Sequence, residues 1–432
     1  MPSVFALGFT RAPPQARGAV FRCAYYLYNI YTFYKAHCGQ GRGKMSELFT
    51  EANRKRMVST FIDLVKIDSL GKKEGKVAAR LEKIFRETGC SVQFDGAGRK
   101  VGGETGNLIA KFPGTCKCEP FLLSSHMDTV DPGEGIKPVI GRDRITSDGT
   151  TILGADCKSG LAVIIEVLRI LKENNLPCPP IEVVCTICEE TGMHGSKNLD
   201  YSKIKAKSGI VLDSDSPEEV TIKAPSADRI NIDIHGLSAH AGVCPERGIS
   251  AITVAAKAIA GMKLGRIDFE TTANIGIVSG GIATNIVTDF LNIKAEARSH
   301  KIAKLDRQTK HMRDQFEKAI KASALKLDGK IVRPSMDWTI TRSYPNLVID
   351  AKNPVLLALK KAAKLEKMNV KFAPSGGGSD ANIFYGHGLQ TPNVGCGMHE
   401  AHTTREYLLL KDFFDCARLT LSTVSLFAGK KD

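Results

Sequence analysis

An uninterrupted apolar run of about 20 residues, the length that spans a bilayer, is missing from this 432-residue chain. Fixed-period repeats and low-complexity tracts are missing too, which excludes a solenoid. No zinc-finger spacing, RNP-type strand or basic-aromatic ladder accompanies the formal charge of +14. Residues 1–44 contain no acid, against six basic side chains (Arg11, Arg17, Arg22, Lys35, Arg42 and Lys44). The rest of the chain holds 54 basic and 46 acidic residues, often side by side as in Glu51-Ala-Asn-Arg-Lys-Arg56. That pattern reads as a solvated basic surface, with neither nucleic acid nor membrane as partner.

The first 44 residues also lack an export signal. Their apolar stretch is broken by Arg22, and no small-residue cleavage site follows. Five of the nine tyrosines crowd into 25–34. Met45 then opens a polar helical pattern that reads like a natural start, so 1–44 is expected to be a misassigned upstream translation or a disordered leader. Twelve cysteines follow no small-secreted spacing. Cys185-Thr-Ile-Cys188 has redox spacing but lies in a strand-like apolar run, where a redox pair should open a helix. Buried structural thiols and a cytoplasmic location are expected.

Hydrophobic content of 43% and charged content of 25% are those of a globular protein, and the length calls for two domains. From Met45 onward, helical spacing (54–64, 77–88, 160–174) alternates with strand-like runs (107–112, 120–125, 181–188). That alternation predicts an α/β sheet covered by helices. After about Lys223 the pattern changes. Residues 230–235 read as an amphipathic strand, 248–262 as a helix, 273–279 and 285–297 as two strands, 302–325 as a long helix and 329–332 as a strand. This β-α-β-β-α-β order predicts a split-βαβ, ferredoxin-like α+β domain. The α/β character returns after Ser343, with a helix over 354–366 and a glycine loop at Gly376–Gly378. The expected organisation is a catalytic domain over 45–224 and 343–432, interrupted by a smaller one over 225–342.

Five short segments carry chemistry, most of them at strand ends. Ser124-Ser-His126-Met-Asp128 pairs an imidazole with a carboxylate able to fix its tautomer. Gly154-Ala-Asp156-Cys157 opens a helix, where Asp156 alone reads equally well as a cap. Cys188-Glu189-Glu190 puts two adjacent carboxylates after a buried strand, an arrangement that asks for a cation. Val211-Leu-Asp213 ends another apolar run, and His399-Glu-Ala-His402 lies near the C-terminus. Imidazoles mixed with carboxylates suit divalent zinc.

This ordered set resembles the zinc peptidase family of peptidase T, carboxypeptidase G, aminoacylase and succinyl-diaminopimelate desuccinylase, over nearly all the chain from about Asn53. Gly236-Leu-Ser-Ala-His240-Ala-Gly and Gly376-Gly-Gly-Ser-Asp-Ala-Asn382 resemble the peptidase T-like branch most. The resemblance implies two metal ions, zinc first and cobalt or manganese as substitutes. His126 and Asp213 would bind one, Glu190 and His402 the other. Asp156 would bridge both, with a cis peptide bond after it. It further implies that Glu189 is the general base for an activated water and then the acid for the leaving amine, with Asp128 supporting the site. His240 would serve as an oxyanion donor reaching across a homodimer formed by the inserted (lid) domain. Asn285, Arg298, Gly377 and Gly378 would contact a short peptide substrate, Arg298 as a bidentate partner for its carboxylate.

Two departures from the family stand out. Cys157 replaces the usual second Asp, at a position that is not a direct ligand in the family. Ser375 stands where peptidase T has an arginine that reads the peptide C-terminus. An aminopeptidase acting on tripeptides is the expected activity. Removal of an acyl group or of a C-terminal amino acid on the same scaffold is the nearest rival, and a silent dimeric binding protein is the third reading.

Overall fold

The computed structural model describes residues 48–428, so the readings of 1–44 and of Met45 as a start lie outside the described residues. Helix α1 (Glu51–Val65) begins at a reciprocal cap. The Thr50 hydroxyl accepts from the Asn53 N–H, and the Asn53 side chain accepts from the Thr50 N–H at 2.9 Å. Helix α2 (Gly75–Thr88) buries Val77, Leu81, Ile84 and Phe85 along one stripe and stops at Gly89, whose φ of 100° is open to glycine.

The first sheet has nine strands: β1 (Ser91–Phe94), β2 (Leu108–Phe112), β3 (Phe121–His126), β4 (Ile181–Thr186), β5 (Ser208–Leu212), β6 (Glu219–Ala224) and three that return after the insertion, β12 (Leu347–Val348), β13 (Lys371–Pro374) and β14 (Asn393–Val394). Their order is β1-β2-β4-β3-β5-β14-β6-β12, with β13 beside β6. The centre, β4-β3-β5-β14, is parallel and its flanks are antiparallel, except that β13 runs parallel to β6. Every residue of β3, β4 and β5 is buried, which explains why these strands read as apolar runs and not as alternations. The chain leaves β3 for β4 on one side and then reaches β5 on the other. The end of β3 is therefore a switch point, where ligands bind in open α/β sheets. Helices α1, α2 and α3 (Ala155–Glu173), with α6 (Pro354–Glu366), α7 (Asp380–Gly386) and α8 (Leu410–Phe427), pack with this sheet around one large apolar core.

After β6 the chain builds a second sheet and core of its own. Strands β7 (Ser226–His235), β8 (Gly265–Asp268), β9 (Thr271–Gly280), β10 (Phe290–Ser299) and β11 (Ser335–Tyr344) run antiparallel in the order β8-β9-β10-β7-β11. Ile230, Ile232 and Ile234 face helices α4 (Ala251–Ala260) and α5 (Ile302–Ala322), with the polar residues between them on the other face. This is the ferredoxin-like order with one added edge strand, β8. The closing strand differs from the expected one. Lys330–Val332 pairs with Leu325–Leu327 in a separate hairpin, and β11 completes the sheet against β7. The expected strand over 285–297 lies at Phe290–Ser299, which leaves Asn285 in the preceding loop. Met193, Ala227, Tyr344 and Ile383 form a small buried cluster where the two parts of the chain join.

The strand expected over 181–188 stops at Thr186, and Cys188 turns away with a φ of 51°. Cys185 and Cys188 are buried free thiols, and burial pushes Cys188 up to about 12. Among the described residues no helix is long and apolar enough to cross a membrane.

Candidate metal centre

Three buried parallel strands end at one level, and each delivers an acid or an imidazole there. His126 is the last residue of β3, Asp213 directly follows β5, and Glu189 and Glu190 follow β4 by three and four residues. Asp156 sits at the start of α3, immediately before a cis Asp156–Cys157 peptide bond. His402 comes from the loop between the short strands Met398–His399 and Tyr407–Leu409.

The two oxygens of Asp156 point to different imidazoles. Oδ1 lies 2.9 Å from His126 Nε2, and Oδ2 lies 3.2 Å from His402 Nε2. Asp213 Oδ1 approaches His126 Nε2 at 3.7 Å, and Glu190 Oε1 approaches His402 Nε2 at 2.9 Å. Two donor groups result, each with its ligand atoms within 4.8 Å of one another. One comprises His126, Asp156, Cys157 and Asp213; the other comprises Asp156, Glu190 and His402. Glu189 belongs to neither. Its carboxylate lines a cavity of about 300 Å³ above the two groups, together with Gly377, Gly378 and Asn382.

The charges are crowded. Burial and the neighbouring Asp213 and Asp380 push Glu189 well above the ordinary carboxylate range. Burial also raises Asp213, to about 7. At Asp156 burial works the same way, but hydrogen bonds from His126 and His402 outweigh it and hold the carboxyl below its ordinary value. The imidazoles take the matching shift. Hydrogen bonds to Asp156 and Glu190 lift His402 to about 10. Burial opposes charge on His126, but Asp128, Asp156 and Asp213 raise it nonetheless. Both imidazoles are thus drawn toward positive charge by a layer of acids, a setting that divalent cations fit.

Asp128 does more than orient an imidazole. His126 Nδ1 is nearest the Asp128 carbonyl oxygen, at 3.0 Å, with the carboxylate at 3.4 Å. That carboxylate accepts from the backbone N–H groups of Glu189 and Glu190 at 2.9 and 3.1 Å, so it holds the Glu-Glu turn in place. Three further acids support the site without a role foreseen in the sequence. Glu406 accepts from the N–H groups of Leu153, Gly154 and Asp156 at 2.7, 2.8 and 2.9 Å and so fixes the turn that carries Asp156. Asp380 accepts from Thr186 at 2.5 Å and from Ser196, next to Glu189. Glu74 accepts from the Cys188 N–H at 2.9 Å. Nothing local in the sequence marks these roles, since Glu406 and Leu153 are 253 residues apart.

Of the other candidates, Gly377 and Gly378 line the same cavity, and His240, Asn285 and Arg298 do not. His240 and Asn285 are exposed neighbours in the second unit, joined by the Ala241 N–H to Asn285 C=O bond. No hydrogen bond or ion pair among the described residues links them to the two donor groups. Arg298 is held by Glu296 at 3.0 and 3.1 Å and reaches the Gly376 carbonyl at 3.5 Å. A Cβ at Gly378 would collide with the Tyr344 ring, so packing alone demands that glycine.

A model of peptidase family M20/M25/M40 matches residues 122–425. The chain belongs to this peptidase family. The protein YqjE of Bacillus subtilis (strain 168) is 41% identical over 374 residues, covering 86% of this chain and 98% of that protein. The crystal structure of aminopeptidase PepT from Bacillus cereus ATCC 10987 is 43% identical with a TM-score of 0.80, covering 87% of this chain and 99% of that one. A tripeptidase from Staphylococcus aureus subsp. aureus Mu50 is 36% identical with a TM-score of 0.83, over the same shares. This M20/M25/M40 member is similar to the peptidase T-like branch along almost its whole described length.

Proposed function

We propose that the chain is an aminopeptidase of the peptidase T kind, hydrolysing short peptides with two divalent cations, zinc by preference. His126 and Asp213 would hold one and Glu190 and His402 the other, with Asp156 shared. The observation that carries this reading is the division of the Asp156 oxygens between two imidazoles, 2.9 and 3.2 Å away. When bound, the cations polarise the scissile carbonyl and make the attacking water more acidic. Cobalt or manganese would substitute.

The protein's own part is positioning and proton transfer. Glu189 stands free of both donor groups at the cavity wall, where its carboxylate takes the water's proton and passes it to the leaving amine nitrogen. Asp128 fixes the backbone of that glutamate. His240 would donate to the developing oxyanion, and its exposure, outside the residues lining the cavity, supports delivery from a second copy of the chain. Residues 225–342 would then be the lid and dimerisation unit, and 45–224 with 343–432 the catalytic one. Asn285, Arg298 and the backbone at Gly377 and Gly378 would hold the peptide. The free thiols of the ten described cysteines are consistent with a cytoplasmic location. The similarity to an aminopeptidase and a tripeptidase supports reading the peptide from its amino end.

The test compares free tripeptides with N-acylated amino acids, with zinc, cobalt or manganese supplied. Release of the first residue from tripeptides is the expected result. Activity on acylated substrates alone would replace this reading with an acyl-amidohydrolase, and none on any amide would point to a binding protein.

A further inference from the structure

Cys157 is the feature of this centre that the proposed mechanism does not use. Its side chain is fully buried, and its Sγ falls within 4.8 Å of the ligand atoms of His126, Asp156 and Asp213. Donors around a tetrahedral zinc with bonds of about 2.0–2.3 Å lie roughly 3.3–3.8 Å from one another. His126 lies 2.9 Å from Asp156 and 3.7 Å from Asp213, which bracket that spacing, and the sulfur completes the group within 4.8 Å of all three. The thiol now donates to the Leu212 carbonyl at 2.7 Å, a residue adjacent to Asp213, so it already faces the strand end that supplies another donor. Imidazole, carboxylate and thiolate are all ordinary zinc donors, and a site that expands to five positions still leaves room for the water. The second group, His402 with Asp156 and Glu190, contains no sulfur.

Resting on the two-cation reading above, we infer that Cys157 is a direct thiolate ligand of the cation held by His126 and Asp213. The step conserves charge in a simple way. The Sγ–H bond breaks, its proton passes to solvent, the hydrogen bond to Leu212 is given up, and the sulfur lone pair forms the bond to the metal. The two cations become chemically unequal. A thiolate favours zinc or cobalt over manganese or magnesium, whereas the oxygen-rich second site discriminates less. The family position occupied by a carboxylate thus becomes, in this chain, a device for metal choice.

The experiment is zinc-edge X-ray absorption on the loaded wild-type protein, with metal content measured in parallel. One sulfur at about 2.3 Å from half of the zinc is expected. Oxygen and nitrogen neighbours only, on protein carrying its full metal, would overturn the inference and leave the two-cation reading standing. Protein that binds no metal would overturn both. Cobalt-loaded Cys157→Ser gives an independent check, with its fold monitored by circular dichroism. The near-ultraviolet thiolate-to-cobalt charge-transfer band of the wild type should vanish in the variant, and a wild type without that band also overturns the assignment.

Discussion

Replacing Glu406 by glutamine tests how far the bridging carboxylate depends on support from behind. The Glu406 carboxylate gathers three backbone N–H groups, Leu153 and Gly154 on Oε2 and Asp156 on Oε1. A glutamine keeps one oxygen. Its best orientation turns that oxygen to Leu153 and Gly154 and points its amide N–H₂ at the Asp156 N–H, donor against donor. One charge-assisted bond is lost and one buried N–H is left unsatisfied, costing about 1–3 kcal/mol, and the two surviving bonds weaken to neutral strength. An opposing effect is also present. Burial pushes the Glu406 carboxyl up to about 7 against the lowering by its three donors, and an uncharged amide escapes that desolvation. The balance is a loss of about 2 kcal/mol in stability.

The same substitution loosens the turn that aims Asp156 at both imidazoles, and loss of such outer support lowers metal affinity by about 10–100-fold. Urea unfolding of the metal-free protein reads the first quantity, and zinc competition against a chromophoric chelator reads the second. A stability change within about 0.5 kcal/mol, the range of an ordinary surface substitution, together with unchanged zinc affinity, would refute the reasoning.

Glu189→Gln should lower kcat by about 10²–10⁴, the usual contribution of a positioned base, while both metals remain bound by elemental analysis; turnover near wild type would show that another group moves the proton. Zinc loading should release protons. Hydrogen bonds to Asp156 and Glu190 hold His402 near 10 in the metal-free chain, above its ordinary value, so it stays protonated through neutral pH and must lose that proton on ligation. Apparent affinity should therefore rise with pH, and calorimetry in buffers of different ionisation enthalpy should give buffer-dependent heats; identical heats would contradict this. Away from the centre, Glu166 is fully buried on α3 and bonded to Asn53 at 3.0 Å and Arg56 at 2.6 Å. Glu166→Ala should cost about 3 kcal/mol in urea unfolding, and a loss below about 1 kcal/mol would mean that Glu173 and water satisfy Arg56.

The positions of His126 and Asp213 at the ends of apolar runs were legible in the sequence, because those strands are buried on both sheet faces; their proposed metal roles came from the family resemblance and not from the runs. Helix α6 was legible to the residue, since Asn353 and Pro354 mark its start. Strand β11 was not. Its exposed face carries Asp337, Thr339 and Thr341, and only Met336 and Trp338 lean on the second core, so alternation is faint beside the apolar Ile331–Val332 of the neighbouring hairpin. The supporting acids Glu406, Asp380 and Glu74 were illegible for another reason. Each acts on backbone or hydroxyl donors far away in sequence, and no local pattern encodes such a partnership.

The protonation of the metal-free centre bears on why a thiol, and not another carboxylate, suits position 157. Asp156, Glu189, Glu190 and Asp213 already crowd one cavity, with only two imidazoles to balance them. A carboxylate at the place of the Cys157 sulfur would add a charge within 4.8 Å of the Asp213 donor atom. At an effective dielectric of about 20, ionising both carboxylates together would cost roughly 3–4 kcal/mol before any cation arrives. A neutral thiol avoids the repulsion in the empty site, and its S–H···O bond ties the first turn of α3 to the end of β5. Once a cation is present the same atom can shed its proton and contribute negative charge where it is then favourable. The acid layer is thereby relieved at the stage when it is least balanced, without giving up a ligand at the stage when one is useful.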